Sequence, residues 1–290
     1  MFVQTNSVKA VKAYFKDRLR DQFTESELKA MIREAVITRL SISSADYLLS
    51  DDRLLSESDL LYFRSIVKRL QANEPFQYIL GHTDFFGLNL KTDRRALIPR
   101  PETEELVQWV TEEYDRSGAY SMMDLCTGSG CIALALKSHF KNAEIIGTDL
   151  STDALELAKE NSSVLTLSVE WKRMDATEQK TYEIFPEGSF DCWISNPPYI
   201  PQHDKHEMRP NVLDHEPHMA LFVENDDALL FYREIGKAGL ICLKPGGRLF
   251  FEIHEGLGSE TKELLKDLGY EYVIVRKDMQ GKDRMVMAER

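Results

Sequence analysis

The sequence predicts an α/β fold: a seven-stranded, mostly parallel sheet with helices on both faces, joined by a β-hairpin linker to a small all-helical N-terminal domain. Two observations lead to this fold class. Between residues 122 and 288, apolar runs typical of strands alternate with helical stretches, as they do in parallel sheets covered by helices. Residues 1–74 contain neither glycine nor proline, which favours helices.

Length and composition agree with a globular protein of two domains. The chain has 290 residues, of which 43% are hydrophobic and 29% charged, so neither a disordered nor a fibrous protein is expected. Its formal net charge is -12. Because affinity for nucleic acid comes mostly from lysine and arginine, we expect no direct nucleic-acid partner.

The helical domain is predicted over residues 1–74. Capping boxes begin at Thr24 and Ser56, each followed three residues later by an acid, Glu27 or Asp59, and each precedes apolar residues at helical spacing. Nothing in this stretch carries chemistry of its own. The domain either binds a macromolecule or serves as a stabilising cap, and its residues leave both roles open.

A linker is predicted over residues 75–95 and a sheet domain over residues 96–290. In the linker, glycines separate the apolar runs 76–81 and 83–90, a pattern typical of a β-hairpin. The strand runs of the sheet domain are 122–125, 145–148, 169–174, 190–195, 248–253, 272–275 and 285–288. The gap 277–284 is too short for a crossover helix, so the last two strands are predicted to be antiparallel. This architecture resembles the Rossmann-like sheet of methyltransferases that depend on S-adenosylmethionine.

Cysteine usage and hydropathy predict a cytoplasmic protein without a membrane span. The four cysteines follow neither a zinc pattern nor a disulfide framework, and no run approaches the roughly 18 apolar residues of a spanning helix.

Four histidines lie close together with acids between them, namely His203, His206, His215 and His218. Their spacing matches no standard ligand pattern, so we predict no metal site and expect a polar loop at the mouth of a substrate site.

A turn of small residues after the first strand of the sheet is the first candidate ligand site. Glycines at such a turn let the backbone approach a ligand, with the amides of the following helix facing it. Asp149 ends the next strand, where a carboxylate can accept hydrogen bonds from both hydroxyls of a ribose. This spacing suits a nicotinamide dinucleotide as well as S-adenosylmethionine. The residues of this turn are Cys126, Thr127, Gly128, Ser129 and Gly130.

Asp175 and Ala176 form another candidate, just after the strand 169–174. They are predicted at the carboxyl edge of the sheet, where ligands of open α/β folds bind. If the ligand is S-adenosylmethionine, they lie at its adenine, with Asp175 near the exocyclic amine. An exposed acid that only ends a strand is the alternative.

The most informative segment is Asn196, Pro197, Pro198 and Tyr199, which directly follows the strand 190–195. Two successive prolines remove two backbone donors, so the neighbouring carbonyls stay free to accept hydrogen bonds. Asn196 adds a side-chain acceptor and Tyr199 a flat aromatic face. The segment therefore suits a planar NH2 group: Asn196 Oδ1 and the Pro197 carbonyl each accept one N–H, while Tyr199 packs against the plane.

This constellation also favours a methyl donor over a hydride carrier. Hydride transfer needs no pair of acceptors on an NH2 nitrogen, whereas alkylation of that nitrogen does. An amide nitrogen is a poor nucleophile, and holding both of its N–H bonds orients the lone pair toward a sulfonium methyl. As positive charge develops on the nitrogen, the two acceptors bind more strongly than in the ground state. We predict Asn196, Pro197 and Tyr199 as catalytic residues, without a general base.

With these residues the sequence resembles the glutamine-N5 methyltransferases of peptide-chain release factors, the PrmC/HemK family, over nearly its whole length. The further segments that carry the resemblance are residues 74–81, the family-specific 97–104, and Glu216-Pro217 followed by Ala220-Leu221. Cys126 stands where the family usually has glycine. Its side chain is small enough that we expect cofactor binding to survive.

The resemblance implies that S-adenosylmethionine is the cofactor and that the glutamine of the Gly-Gly-Gln motif in class 1 release factors is the substrate. It also implies that the helical domain helps to dock the release factor and that residues 96–290 are the catalytic domain. By the same resemblance, residues 126–130, Asp149, Ala176 and Asn196 line the cofactor site, and residues 196–199 hold the glutamine.

Three alternatives remain open. A ribosomal-protein glutamine-N5 methyltransferase would share the chemistry and differ in its docking domain. A DNA or RNA adenine-N6 methyltransferase would present a flipped base to the same segment, and the acidic chain disfavours it. A protein that binds S-adenosylmethionine without catalysis would not need Asn196 and Tyr199. We expect a monomer.

Overall fold

The computed structural model describes residues 3, 5–223 and 227–290, except for the side chains of residues 203, 204 and 207. The chain divides into two compact units. The first contains the residues up to Gly81 together with Pro210–His215, and the second contains His82–Arg209 and Glu216–Arg290. Each unit is built around its own apolar core.

The first unit is helical in its described residues. Both predicted capping boxes are confirmed, because Thr24 and Ser56 each accept the N–H of the acid three residues later, which accepts the cap residue's own N–H in return. In its core, Phe15 packs edge-on against Phe63, with ring centroids 6.2 Å apart. The helices are α1 (Val8–Leu19), α2 (Glu25–Leu40), α3 (Ser44–Leu48), α4 (Glu57–Gln71), α5 (Phe76–Leu80) and the short α9 (Pro210–Leu213).

The prediction of a strand over residues 76–81 is wrong, because this run forms α5. Pro75 takes the N-cap position, and its carbonyl accepts a hydrogen bond from the Ile79 N–H. Gly81 ends the helix in the left-handed conformation at φ 82°. Ile79 is buried in the core of the helical unit, and this packing outweighs the strand propensity of the aromatic run.

The predicted hairpin is present and lies wholly within the second unit. Strand β1 (His82–Phe85) pairs antiparallel with β2 (Leu88–Lys91). Phe86 and Gly87 both have positive φ, as the tight turn of a two-residue hairpin loop requires.

The second unit contains the seven-stranded sheet that the sequence predicts, in the order β10-β11-β9-β6-β3-β4-β5. Five neighbouring strands of this order are mutually parallel, namely β9, β6, β3, β4 and β5. The last strand is antiparallel to both of its neighbours, as predicted. The strands are β3 (Ser121–Leu125), β4 (Glu144–Asp149), β5 (Glu170–Arg173), β6 (Phe190–Ser195), β9 (Leu243–Glu252), β10 (Glu271–Lys277) and β11 (Asp283–Glu289). A small separate pair consists of β7 (Ile200–Pro201) and β8 (Phe222–Val223).

Helices cover both faces of the sheet, and the alternation of side chains along each strand supplies both cores. On one face, Phe250 of β9 packs edge-on against Trp109 at 5.5 Å. On the other face, Trp193 of β6 stacks on Tyr182 at 5.4 Å. The first face is covered by α6 (Pro101–Glu113) and α7 (Cys131–His139), and the second by α10 (Leu230–Cys242) and α11 (Gly258–Leu268), while α8 (Thr152–Leu165) connects β4 to β5.

The strand order places a ligand site at the carboxyl ends of β3 and β6. The chain proceeds from β3 through β4 to β5 on one side and then returns to place β6 on the other side of β3. Such a reversal opens a crevice in which the ligands of open α/β sheets bind. Leu125 and Ser195 are register partners at this point, so Cys126 and Asn196 begin adjacent loops.

Candidate active site

A cavity of about 310 Å³ lies at the carboxyl ends of β3, β4, β5 and β6, within the size range of ligand sites. Its walls come from the loops after these four strands, from the segment 95–103, and from two later segments around residues 217–220 and 230–231. Among the predicted site residues it is lined by Cys126, Thr127, Gly128, Ser129, Asp149, Asp175, Ala176, Asn196 and Pro198. Gly130, Pro197 and Tyr199 are not among its lining residues.

The turn after β3 is shaped by left-handed residues. Cys126, Gly128 and Gly130 have φ of 61°, 56° and 82°. A Cβ at Gly128 would have only Ala96 nearby, at 3.9 Å, so its surroundings are open. A Cβ at Gly130 would lie 2.8 Å from the Trp171 ring, so this glycine lets the start of α7 pack closely on the sheet.

Asp149 is tied to this turn by backbone amides. Its Oδ2 accepts the Gly128 N–H at 2.9 Å, and its Oδ1 accepts the Ser151 N–H at 2.9 Å. Burial raises the pKa of Asp149, and these two N–H groups oppose the shift. Each carboxylate oxygen keeps further lone pairs, so Asp149 can still accept hydrogen bonds from a ligand in the cavity that it lines.

A second acid, Asp124, lies buried beneath the same turn. Its Oδ2 accepts hydrogen bonds from the Thr127 hydroxyl and from the Ala133 N–H, which joins β3 to the turn and to α7. Burial raises the pKa of Asp124 to about 7. No role was predicted for Asp124, because in sequence an acid inside a strand run looks like any polar position.

Asp175 and Ala176 reach the cavity from the end of β5. Asp175 is half-buried, so it is not the exposed strand-end acid of the alternative interpretation. Its Oδ1 accepts both the N–H and the hydroxyl of Thr177, at 2.8 and 2.7 Å. Ala176 is buried, and its carbonyl accepts the Tyr182 hydroxyl at 2.8 Å.

A hydrogen bond to Thr103 holds the side-chain amide of Asn196. Its Nδ2 donates to the Thr103 hydroxyl oxygen at 3.1 Å. The Thr103 hydroxyl in turn donates to Oε2 of Glu252 at 2.6 Å. Asn196 Oδ1 accepts no hydrogen bond from the residues that the structure describes, and it stays available to a ligand.

Tyr199 joins the same network from the other side. Its hydroxyl donates to Oε1 of Glu252 at 3.1 Å, and burial raises the pKa of Tyr199 well above its ordinary range. Glu252 ends β9 and is 2% exposed. Burial raises the pKa of Glu252, whereas the hydrogen bonds from Thr103 and Tyr199 and the charge of Arg284 lower it.

Comparison with known proteins identifies the family. Residues 12–81 match the model of the PrmC N-terminal domain, and residues 122–215 match that of a methyltransferase domain. The release factor glutamine methyltransferase of Bacteroides thetaiotaomicron is 38% identical over 280 residues, which cover 97% of this chain and 99% of that protein. The chain belongs to the release factor glutamine methyltransferases.

Two further likenesses concern the sequence and the fold. The release factor glutamine methyltransferase of Flavobacterium psychrophilum is 37% identical, covering 96% of this chain and 98% of that protein. A solved structure of a methyltransferase from Pyrococcus furiosus, 18% identical, superimposes with a TM-score of 0.53 over 77% of this chain and 98% of that one. The second likeness shows the Rossmann-like methyltransferase fold. This methyltransferase is therefore an enzyme that depends on S-adenosylmethionine.

Two segments that carry the family resemblance, at 97–104 and around Glu216, have structural roles in this methyltransferase. Glu216 is buried and accepts hydrogen bonds from the Ile98 N–H at 3.2 Å and the Arg100 guanidinium at 2.6 Å. It thereby joins two segments that line the cavity. Thr103 lies in the family-specific segment 97–104. No role was predicted for Glu252, although an acid at the end of a strand beside β6 is a sequence signal for a ligand site.

The histidine cluster lies partly outside the described residues, which exclude the side chains of His203 and Asp204. Within the part of the chain that the structure describes, no group of three or more His, Cys, Asp or Glu is arranged to hold a metal ion. The ring of His218 packs edge-on against Phe222 at 5.4 Å.

No described helix of this methyltransferase is both long and apolar enough to span a bilayer.

Proposed function

We propose that this enzyme transfers the methyl group of S-adenosylmethionine to the side-chain amide nitrogen, N5, of the glutamine in the Gly-Gly-Gln motif of class 1 release factors. The observation that carries the proposal is the fixed amide of Asn196. With Nδ2 engaged by Thr103, the side chain presents Oδ1 as an acceptor in a cavity that Asp149 also lines. An acceptor for an NH2 group and a carboxylate for a ribose thus share one cavity.

The cavity residues fit S-adenosylmethionine. Asp149 would accept the ribose hydroxyls, since its carboxylate oxygens keep lone pairs beyond the hydrogen bonds from the Gly128 and Ser151 N–H groups. Asp175 and Ala176 would hold the adenine, and residues 126–129 of the turn together with Asn196 would line the rest of the cofactor. Gly130 would support this turn through its close packing on Trp171. The open surroundings of Gly128 leave room for close approach of the backbone. When bound, S-adenosylmethionine supplies an electrophilic sulfonium methyl.

Asn196 and Pro197 would hold the substrate amide. Oδ1 of Asn196 and the carbonyl of Pro197 each accept one of the two N–H bonds, which orients the nitrogen lone pair. The positive charge that develops on nitrogen strengthens both hydrogen bonds, so they stabilise the transition state more than the ground state. Pro198 keeps the loop rigid, and the Tyr199 ring, anchored through its hydroxyl to Glu252, packs against the amide plane.

We assign the helical domain, predicted over residues 1–74, to docking the release factor, with a linker at 75–95 and catalysis within residues 96–290. The helical unit exposes large apolar side chains, among them Leu48, Leu49 and Leu54, which are 77%, 87% and 71% exposed. Exposed apolar side chains of this size suit contact with a protein partner.

The substrate assignment is tested by competition between acceptors. The purified enzyme is incubated with labelled S-adenosylmethionine, a recombinant class 1 release factor, ribosomal proteins and duplex DNA, and the label is located by mass spectrometry. We expect a single methyl group on the Gly-Gly-Gln glutamine, and none on a release factor in which that glutamine is replaced by alanine. Label on ribosomal protein or DNA alone would overturn the proposal.

A further inference from the structure

The three residues Glu252, Thr103 and Asn196 form a hydrogen-bonded chain that crosses from β9 to α6 and then to the loop after β6. The Thr103 hydroxyl lies 2.6 Å from Glu252 Oε2, and the Asn196 Nδ2 lies 3.1 Å from the Thr103 hydroxyl oxygen. Thr103 and Glu252 are both 2% exposed, so water does not compete freely for these contacts.

The direction of each hydrogen bond in this chain follows from the number of available protons. A threonine hydroxyl has one proton, and the Glu252 carboxylate accepts at both of its oxygens, from Thr103 and from Tyr199. Because Thr103 gives its proton to Glu252, it can only accept from Asn196. Asn196 must therefore turn its NH2 toward Thr103 and its Oδ1 away from it. With the opposite orientation, two acceptor oxygens would face each other at the Thr103 contact, and an NH2 group would confront the substrate's own NH2.

We infer that Glu252, acting through Thr103, fixes the orientation of the Asn196 amide and so makes Asn196 an acceptor for the substrate NH2 group. Glu252 and Thr103 are positioning residues in this scheme, since neither is required to touch the reacting atoms. Tyr199 donates to the second oxygen of Glu252, so the same carboxylate anchors Tyr199 directly and Asn196 through Thr103. The inference rests on the proposed function and adds the reason why Asn196 presents oxygen rather than nitrogen.

The test compares Thr103→Val, which removes the hydroxyl at nearly constant volume, with Thr103→Ser, which keeps it. For release factor methylation we expect Thr103→Val to lower kcat roughly ten- to a hundredfold, the effect of one lost hydrogen bond with a buried group left unpaired. KM for the release factor and the Kd of S-adenosylmethionine should change less than about threefold, because docking and cofactor binding use other residues. Thr103→Ser should restore kcat to within about threefold of wild type.

Thr261→Val is the matched control. Thr261 is also fully buried, and its hydroxyl oxygen has no hydrogen-bond partner among the described residues, so this variant should keep wild-type kcat.

Glu252→Gln adds a second test. A glutamine at this position can donate its NH2 to Thr103, which would reverse the direction of the hydrogen bonds between residue 252, Thr103 and Asn196. The kcat of Glu252→Gln should fall, and in the Thr103→Val background it should cause little further loss, since both changes act on the same amide.

The inference fails alone if wild type methylates the release factor and Thr103→Val turns over within twofold of it, or if Thr103→Ser is as impaired as Thr103→Val. A kcat loss of the same size in Thr261→Val would also overturn it, because the effect would then come from core packing. If wild type leaves the glutamine unmethylated, the proposed function fails and the inference fails with it.

Discussion

The backbone N–H of Gly128 donates a 2.9 Å hydrogen bond to Oδ2 of Asp149, and this contact holds the turn after β3 against the end of β4. The two elements that would bind a nucleoside therefore support each other. Gly128 is the left-handed residue of the turn whose surroundings are open, and Asp149 lines the cavity beside it.

Replacing Asp149 by asparagine should weaken cofactor binding. An asparagine must turn its NH2 toward either Gly128 or Ser151, so one backbone N–H would face another donor. It also loses the charge that strengthens hydrogen bonds from ribose hydroxyls. We expect the Kd of S-adenosylmethionine to rise about 10- to 100-fold, or roughly 1.4 to 2.8 kcal/mol, in isothermal titration calorimetry.

Asp153→Asn is the control for this change. Asp153 is exposed in the first turn of α8, and its replacement should leave the Kd within about twofold of wild type. The assignment of Asp149 to the ribose would be wrong if Asp149→Asn bound S-adenosylmethionine as tightly as Asp153→Asn does.

Cys126 occupies a conformation that suits glycine better than any residue with a side chain. Its φ is 61°, and the left-handed region costs an L-residue about 1–2 kcal/mol. Cys126→Gly should therefore unfold with a free energy about 1 kcal/mol higher than that of Cys126→Ala, because alanine keeps the strain while losing the same sulfur. Chemical denaturation of the two variants measures this difference, and equal or reversed stabilities would show that the turn is not strained at Cys126.

Buried Asp124 should make stability depend on pH. Its pKa rises from 3.8 to about 7 on folding, so its protonated form is favoured in the native state. The stability that this group contributes is complete below its unfolded pKa and is lost as pH rises through about 7. Relative to Asp124→Asn, wild type should lose on the order of 2 kcal/mol of unfolding free energy between pH 5 and pH 8. Parallel pH profiles of the two proteins would contradict this ionisation.

Much of the fold could be predicted because its signals are local. The alternation of strand and helix runs, the capping boxes at Thr24 and Ser56, and the short gap before the last strand each depend on neighbouring residues, and the structure confirms all three. Strand β9 begins at Leu243, five residues before the predicted start at Arg248. Pro245, Gly246 and Gly247 look like a turn in sequence, and Gly246 indeed has φ 76°, but the strand continues through them with a shift in register against β6.

The candidate site likewise contains residues that local patterns predict and contacts that they do not. Asp149 ends β4, Asn196 directly follows β6, and both line the cavity. The contact between Thr103 and Glu252 joins residues 149 positions apart, so no local pattern contains it. Likewise, the aromatic run 76–81 becomes a helix because Ile79 packs into the helical core, which is a tertiary effect that overrides local propensity.

The most direct test of the proposed role of Asn196 is the single-turnover rate of methyl transfer to the release factor glutamine at saturating S-adenosylmethionine, compared between wild type and Asn196→Ala. Asn142→Ala, at an exposed asparagine before β4, serves as the control. If Asn196 holds the substrate amide, the rate should fall at least about 1,000-fold, roughly 4 kcal/mol, while the Kd of S-adenosylmethionine stays within a few-fold of wild type and Asn142→Ala remains fully active. An Asn196→Ala enzyme that transfers methyl at nearly the wild-type rate would show that Asn196 does not hold the substrate amide.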